Sequence, residues 1–592
     1  MKNILFILIT LVISQTACAE VSIAKYKGNR LAAVSYTFDD GLLEQYTELW
    51  PQMKKYHIKG SFCVNGNTIN RAEETPDTVK PRMTWAMMRE MSQQGQEITN
   101  HGWAHINVNK LEGEALRYEV QHNDSVIFDK IGIFPRTYFY PGNAKSPEKV
   151  AYCEQSRVGS RTFQVSVGSK RNTKWLNQWV DSLILKEEWG VGMTHGLSRG
   201  YDHFSDTKTL WNHFRYVSSK RDSIWIATFH DVSAYIKERD AVKLKVKEKK
   251  NYILVTPTLN LDKDLFSLPL TLVTDKEVSA ATQDGNVLIV GQRRGKSYVE
   301  FNPHGGVVRI ITKSNDNQNT PVPVILTAGQ SNTDGRVLNE ELPDYVIDNP
   351  YRHCYWSYGS GTHSGEGKFE LFWPRIYNNN NPRRWTYDAI TYFWLEQALG
   401  HDLYVVKESL GGTAIDPTAK SSQSMYWSAD PAYLDTVPAA DKGGKSLLKA
   451  FVDNIGACID NKLSKLPQGY DIKALLWHQG ESDRPGKASG RYYDNLKAVI
   501  QYVRNYLVDK TGEQRYAHLP VIIGSIPKAG RGYSKNVDAA QKRLCEEDSD
   551  IYLVDADDAP LQSDNIHFNA PAAEKLGIDM FKVISEELKT LE

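Results

Sequence analysis

A multidomain α/β fold is predicted, with an antiparallel β module set between two domains that alternate strands and helices. Three observations predict it. At 592 residues the chain is too long for one hydrophobic core, so about two to four domains are expected. From about Val21 to Asp240, and again from Val322 onward, short apolar strand-like runs alternate with helical patterns. Between them, from about Ala241 to Lys313, the helical patterns stop and short β-branched or aromatic runs follow one another.

The N-terminus is read first as a leader. Lys2 precedes the apolar run Ile4 to Ile13, and Ala17-Cys18-Ala19 supplies the small residues of a cleavage site. Residues 1–19 therefore read as a secretory signal peptide cleaved after Ala19, which predicts a secreted or periplasmic protein. A second reading makes Cys18 the lipidated first residue of a lipoprotein. The apolar run is too short to span a bilayer. No later stretch approaches the ~20 apolar residues of a transmembrane helix.

In the first strand–helix region, Leu31 to Phe38 reads as a strand ending at Asp39. Thr84 to Gln94 reads as a helix, with Thr84 as its N-cap and Gly95 as its stop. Glu97-Ile98-Thr99 then leads directly into His101. Polar residues with chemistry thus recur just after strands, as in an α/β barrel whose site lies at the strand C-terminal ends.

In the module, the runs are Tyr252 to Val255, Leu270 to Val273, Val287 to Val290, Tyr298 to Phe301 and Val307 to Ile311. Turn signals such as Asp284-Gly285-Asn286 separate them. The module reads as a spacer or packing unit, with carbohydrate binding as the alternative. Ser314 to Asn319 is a polar link. The last domain starts on the strand Val322 to Leu326 and ends in a helix opened by Asn569 and Pro571 that runs to about Leu588. The divisions are residues 1–19, 20–240, 241–315 and 316–592.

Bulk charge excludes little but points away from polyanions. Acidic and basic residues balance at 71 each, so no nucleic-acid partner is expected. The 14 Trp and 31 Tyr suit sugar-binding surfaces as well as the interior of a large β-rich enzyme. Cys63, Cys153, Cys354, Cys458 and Cys545 are too scattered for a disulfide framework or a metal knuckle, and most read as buried small hydrophobes.

Two clusters carry chemistry. The first is Thr37-Phe38-Asp39-Asp40-Gly41 with His101-Gly102-Trp103-Ala104-His105. Of two adjacent carboxylates at a strand end, one can bind a cation while the other stays free to take a proton. Two histidines four apart can converge on one ion, and an Asp with two His leaves positions open for water and substrate. In this order the residues resemble carbohydrate esterase family 4, the NodB-homology polysaccharide deacetylases, across about residues 25 to 240. The resemblance implies a distorted (β/α) barrel in which Asp40, His101 and His105 hold one divalent metal, zinc first and cobalt or nickel as alternatives. It implies that Asp39 is the general base and, through Val191-Gly192-Met193-Thr194-His195, that His195 is the general acid. Phe139-Tyr140-Pro141-Gly142-Asn143 resembles a further family motif but lacks the arginine usually found just ahead of it. Nor does the chain show the aspartate–tryptophan motif that supports the general acid.

The second cluster is Gly329-Gln330-Ser331-Asn332 with Asp564-Asn565-Ile566-His567. A serine on the sharp turn after the strand Val324 to Ala328 would expose its hydroxyl and gather backbone N–H groups around it. His567 can serve as its base, and Asp564 can orient that imidazole. Leu410-Gly411-Gly412-Thr413 could add an N–H, and Trp477-His478-Gln479-Gly480-Glu481 follows the strand Ala474 to Leu476. The Gly-Gln-Ser-Asn and His-Gln-Gly-Glu strings resemble the SGNH-hydrolase superfamily. The branch is that of sialate O-acetylesterases and carbohydrate esterase family 6, across about residues 320 to 592. That resemblance implies a three-layer α/β/α domain with no cofactor. Ser331 is then the nucleophile, His567 the base and Asp564 its orienter; the N–H groups of Ser331 and Gly412 and the amide of Gln479 receive the oxyanion. Glu481 is the other acid that could serve the histidine.

Together these resemblances imply a bifunctional carbohydrate acetylesterase acting on an acetylated polysaccharide or oligosaccharide, such as plant acetylated xylan. Two alternatives remain open. The first domain could remove N-acetyl groups from chitin-like or peptidoglycan-like chains, or the protein could bind glycans without catalysis.

Overall fold

The structure is a computed structural model that describes residues 21–313, 320–361, 364–374 and 383–590. The leader read over residues 1–19, with Cys18, and the polar link Ser314–Asn319 lie outside the described residues. No helix among the described residues is long and apolar enough to cross a membrane.

The first domain is built on an all-parallel curled sheet of eight strands. From one edge the order is Gly159–Arg161, Thr137–Phe139, Glu97–Asn100, Gly60–Val64, Ala32–Phe38, Trp189–Thr194 and Val165–Ser166, with Ile224–Ile226 also pairing with Ala32–Phe38. Every residue of Ala32–Phe38 is buried, as a central strand covered on both faces requires. The expected helix is Trp85–Gln93, and the Thr84 hydroxyl accepts the Met87 N–H at its start.

The module is a pair of antiparallel sheets sharing one core. One contains Lys243–Glu248, Tyr252–Thr258, Val308–Thr312, Val278–Gln283 and Asn286–Val287. The other contains Val21–Ile23, Leu270–Thr274, Lys296–Phe301 and Val290–Arg293. Val21–Ile23 thus leaves the region it precedes and pairs with Leu270–Thr274. The run expected as one strand from Val287 to Val290 is instead two, because the chain crosses between the sheets there. The Leu288 N–H bonds to Ala281 in one sheet, and the Ile289 carbonyl accepts Glu300 N–H in the other.

The last domain is a seven-stranded sheet in the order Glu370–Leu371, Cys354–Gly359, Leu403–Ser409, Val322–Gly329, Tyr470–His478, Val521–Gly524, Ile551–Val554. All pairs are parallel except the first. Because side chains alternate along a strand, each strand feeds two cores. Val324, Leu326, Val406 and Trp477 pack with the helices Leu447–Asn461 and Gly486–Thr511. Ile325, Val405, Leu476 and Ile522 pack on the other face with Tyr387–Leu399 and Ala570–Thr590. This is the three-layer arrangement expected. The five cysteines of the described chain are free, four of them buried.

The short helix Asp344–Asp348 joins the units. The Asp348 carboxylate accepts Arg30 at 2.9 Å and Arg221 at 3.1 Å, both from the first domain. Its backbone carbonyl accepts Arg293 of the module at 3.1 Å, and Tyr298 of the module donates to Asn349. Burial alone would raise the Asp348 carboxyl, but the two guanidinium groups hold it below the ordinary carboxylate range. Its contribution to stability is therefore present at neutral pH and lost as pH falls through that lowered value. Asp348→Ala strands the Arg30 side chain, only 2% exposed, without its counter-ion. Equilibrium urea unfolding should show a loss on the order of 3 kcal/mol at pH 7. The gap from wild type should narrow in acid.

Two candidate active sites

Asp39 and Asp40 follow the central strand Ala32–Phe38 at its C-terminal end. Asp40 has φ 75°, a left-handed conformation that L residues seldom adopt, and this kink separates the two carboxylates. Asp39 is 3% exposed, and Arg161 clasps both of its oxygens, at 2.7 Å and 2.6 Å. The Cys63 thiol donates to the same carboxylate at 3.2 Å. Burial would raise the Asp39 carboxyl, yet Arg161 outweighs it and holds the group ionised, well below the usual range. The sequence has no arginine just ahead of Phe139, but in the fold Arg161 reaches this region. It comes from the adjacent strand Gly159–Arg161 and lies 4.3 Å over the Phe139 ring. No local sequence signal marks it.

Asp40 faces the histidines. Its Oδ1 stands 3.9 Å from Nε2 of His101 and 3.9 Å from Nε2 of His105. His101 Nδ1 lies 2.8 Å from the Phe139 carbonyl, so that nitrogen carries the proton and Nε2 presents its lone pair to Asp40. His105 sits at φ 58°, also left-handed, on a loop held by Glu119. The Glu119 carboxylate accepts the N–H groups of Ala104 at 3.1 Å and Ile106 at 2.9 Å. Gly102, at φ 76°, leaves room for it: a Cβ there would lie 2.5 Å from Glu119 Oε1.

These three ligand atoms lie within 4.8 Å of one another. Tetrahedral zinc ligands at about 2.1 Å lie about 3.4 Å apart, so a small inward closure fits this donor set to a divalent cation. Asp39, Cys63 and His101 form a second such group, but Arg161 occupies Asp39 and burial raises the Cys63 thiol well above its ordinary value. Arg82, not singled out in the sequence, bonds to the Asp40 carbonyl and lies 3.8 Å from its carboxylate. His195 follows Trp189–Thr194, beside the central strand, with the Tyr201 ring edge-on at 5.5 Å. Its Nδ1 is buried without a hydrogen-bond partner among the described residues, in keeping with the missing aspartate–tryptophan motif.

In the last domain, Gly329 ends the central strand at φ 156°. A Cβ there would come within 2.3 Å of the His478 carbonyl, so the turn requires glycine. Ser331 then opens the short helix Ser331–Asp334. A Cβ placed on Gly411 would be 3.4 Å from that of Ser331, which puts the Gly411-Gly412 backbone alongside the serine. Among the described residues, no backbone carbonyl takes the Ser331 or the Gly412 N–H. His567 Nδ1 bonds to Asp564 Oδ2 at 2.5 Å, and the same carboxylate accepts the N–H groups of Ile566 and His567. Burial pushes the Asp564 carboxyl up, but these donors bring it below its ordinary value. Asn332, next to Ser331, bonds to Ile566 and Phe568 on either side of His567, and so brings serine and histidine segments together.

Two expectations change. The Gln479 amide does not stand free for an oxyanion. Its NH₂ donates to Asp483 at 2.6 Å, the Thr413 carbonyl at 3.1 Å and Gln330 Oε1 at 3.2 Å. A buried carboxylate captured the donor, and that pairing is invisible in the string His-Gln-Gly-Glu. Glu481 bonds to Asn332 at 2.9 Å and lies 3.5 Å from His478, rather than serving His567 directly. Asp483, which sequence reasoning missed, accepts the N–H groups of Ile415 and Asp416 as well as Gln479, and so anchors the loop that carries Gly412.

Residues 27–158 match the family described as polysaccharide deacetylase, and residues 321–586 match carbohydrate esterase, sialic acid-specific acetylesterase. The first match spans Asp39, Asp40, His101 and His105; the second spans Ser331, Gly412, Gln479, Asp564 and His567. A probable carbohydrate esterase of Arabidopsis thaliana is 35% identical over 113 residues, which are 19% of this chain and 40% of that protein. A protein of Bacillus subtilis named "Putative polysaccharide deacetylase YxkH" is 27% identical over 125 residues, 20% of this chain and 42% of its own. The chain thus spans about two fifths of these relatives' lengths. Among solved structures, an Arabidopsis thaliana protein aligns at TM-score 0.34 and 21% identity, covering 45% of this chain and 98% of that one. The peptidoglycan deacetylase PdaC from Bacillus subtilis aligns at 0.27 and 17%, covering 36% and 94%.

Asp483 yields a test of the loop anchor. Burial pushes its carboxyl up to about 6. Between the ordinary carboxylate value of about 3.9 and that figure, the folded state binds more protons than the unfolded state. Its contribution therefore favours folding below this window and declines as pH rises through it. Asp483→Asn should flatten this segment of the stability profile, read as urea midpoints from pH 4 to 7. An unchanged slope would mean that Asp483 is ionised throughout.

Proposed function

We propose that this chain, which joins a polysaccharide deacetylase domain to a carbohydrate esterase domain of the sialic acid-specific acetylesterase family, is an exported two-site acetylesterase. Its substrate is the O-acetyl groups of a plant polysaccharide such as acetylated xylan. The observation that carries this reading is that two separate sheets each end in their own cluster of candidate residues, with no residue shared.

In the first site, Asp40, His101 and His105 would hold a divalent cation, which when bound supplies Lewis-acid polarisation of carbonyl and water. Asp39, kept ionised by Arg161, takes the proton of the attacking water on Oδ2, the oxygen 4.0 Å from His101 Nε2. His195 gives a proton to the departing sugar oxygen, and acetate is released. In the second site, Ser331 Oγ attacks the acetyl carbon while His567 takes its proton, and Asp564 stabilises the imidazolium. The oxyanion receives the N–H groups of Ser331 and Gly412. His567 then protonates the sugar oxygen, and water releases acetate from Ser331 in a second round.

Acetate release from acetylated xylan and from N-acetylglucosamine oligomers tests the assignment. A chelator should remove one component of activity and leave a Ser331-dependent component on small acetyl esters. Ser331→Ala should do the reverse and abolish inactivation by serine-directed phosphonates. Asp39→Asn should lower first-site turnover by about 100-fold or more, while bound metal stays near one per chain. Loss of that metal would make Asp39 a ligand. First-site activity on amides alone would refute the O-acetyl reading.

A further inference from the structure

We infer that Asn332 is a positioning residue that holds the His567 loop in register with Ser331, and that Glu481 fixes the direction of its amide. The inference rests on the esterase reading of the last domain. Asn332 is 2% exposed and sits on the turn beside Ser331. Its Oδ1 accepts the Phe568 N–H at 3.2 Å, and its Nδ2 donates to the Ile566 carbonyl at 3.3 Å. The residues on both sides of His567 are therefore tied to one side chain adjacent to the nucleophile. His567 itself lies on a loop, outside any strand or helix, and the Asp564 contact is local to that loop. Asn332 supplies a restraint that crosses from one catalytic segment to the other at the residues flanking His567.

An amide can make that two-sided bond in only one orientation. With oxygen and nitrogen exchanged, Asn332 would set its oxygen against the Ile566 carbonyl and its NH₂ against the Phe568 N–H. Glu481 selects the working orientation. Its Oε1 accepts Asn332 Nδ2 at 2.9 Å and lies 3.5 Å from His478 Nε2. Burial would raise the Glu481 carboxyl, but the neighbouring His478 brings it below its ordinary value. An ionised carboxylate can only accept, so the Asn332 NH₂ must face it. His478 is anchored in turn by the Gly524 carbonyl, 3.0 Å from Nδ1. Glu481 thus acts on the catalytic histidine through Asn332 rather than as its direct acid partner.

The test is a double-mutant cycle on the full chain, with a small acetyl ester as substrate and metal chelated to silence the first site. Asn332→Ala should lower kcat by about 100-fold, the scale of a misplacement of about 1 Å, with KM changed much less. Glu481→Gln can donate as well as accept, frees the amide to turn, and should cause a smaller loss in the same parameter. In a His567→Ala background, Asn332→Ala should lower the residual rate by less than about twofold, because residues acting as one unit are not additive. Thermal unfolding of the same variants separates this from collapse of the fold. A merely structural Asn332 would lower Tm equally in both backgrounds and reduce the residual rate of His567→Ala in proportion. Additive effects, or wild-type kcat in Asn332→Ala, would overturn the inference while leaving the esterase assignment intact. Wild-type activity in Ser331→Ala would overturn both.

Discussion

One residue, Asp348, meets all three folded units. Asp348 is gripped from the first domain by Arg30 and Arg221, while its own backbone is held by Arg293 of the module. Such a contact is directional and largely shielded from water, so it fixes orientation more firmly than an exposed ion pair of equal length. The relation between the two candidate sites therefore rests in part on the five-residue helix Asp344–Asp348, together with bonds such as Val290 N–H to Gln397 and Arg352 to the Val290 carbonyl.

Within each domain the same geometric device recurs. A fully buried central parallel strand, Ala32–Phe38 in one case and Val322–Gly329 in the other, delivers the candidate site residues at its C-terminal end. Positive φ then turns the chain sharply: Asp40 and His105 in the first site, Gly329 and Gly412 in the second. The surrounding carboxylates do supporting work. Glu119 binds the backbone of the His105 loop, and Asp483 binds the backbone of the Gly412 loop. Each fixes a loop by accepting its backbone N–H groups.

Much of this was legible in the sequence because it is local. Strand, turn and cap are short-range, so Phe38-Asp39, Thr84 and Gly329 announced themselves by type and spacing. The pair of His101 and His105 was legible for the same reason. What escaped was tertiary. Arg161 reaches Asp39 only because its strand lies next to Thr137–Phe139, a consequence of strand order rather than of neighbouring residues. The Gln479 amide looks available in its motif, yet Asp483 four positions later takes its N–H. Lys243–Glu248, which precedes the runs read as strands in the module, forms an outer strand whose lysines guard against further pairing.

The pairing of Val21–Ile23 with Leu270–Thr274 sets an order on the birth of the fold. A chain emerging from its N-terminus can assemble the curled parallel sheet from residues already available. The strand ahead of that sheet must wait, with unpaired edges, until the module's own strands have followed. Contacts so distant in sequence close late and slowly. The parallel sheet of the first domain, with the candidate site at its strand ends, can thus form before the strand that precedes it in sequence finds its partner.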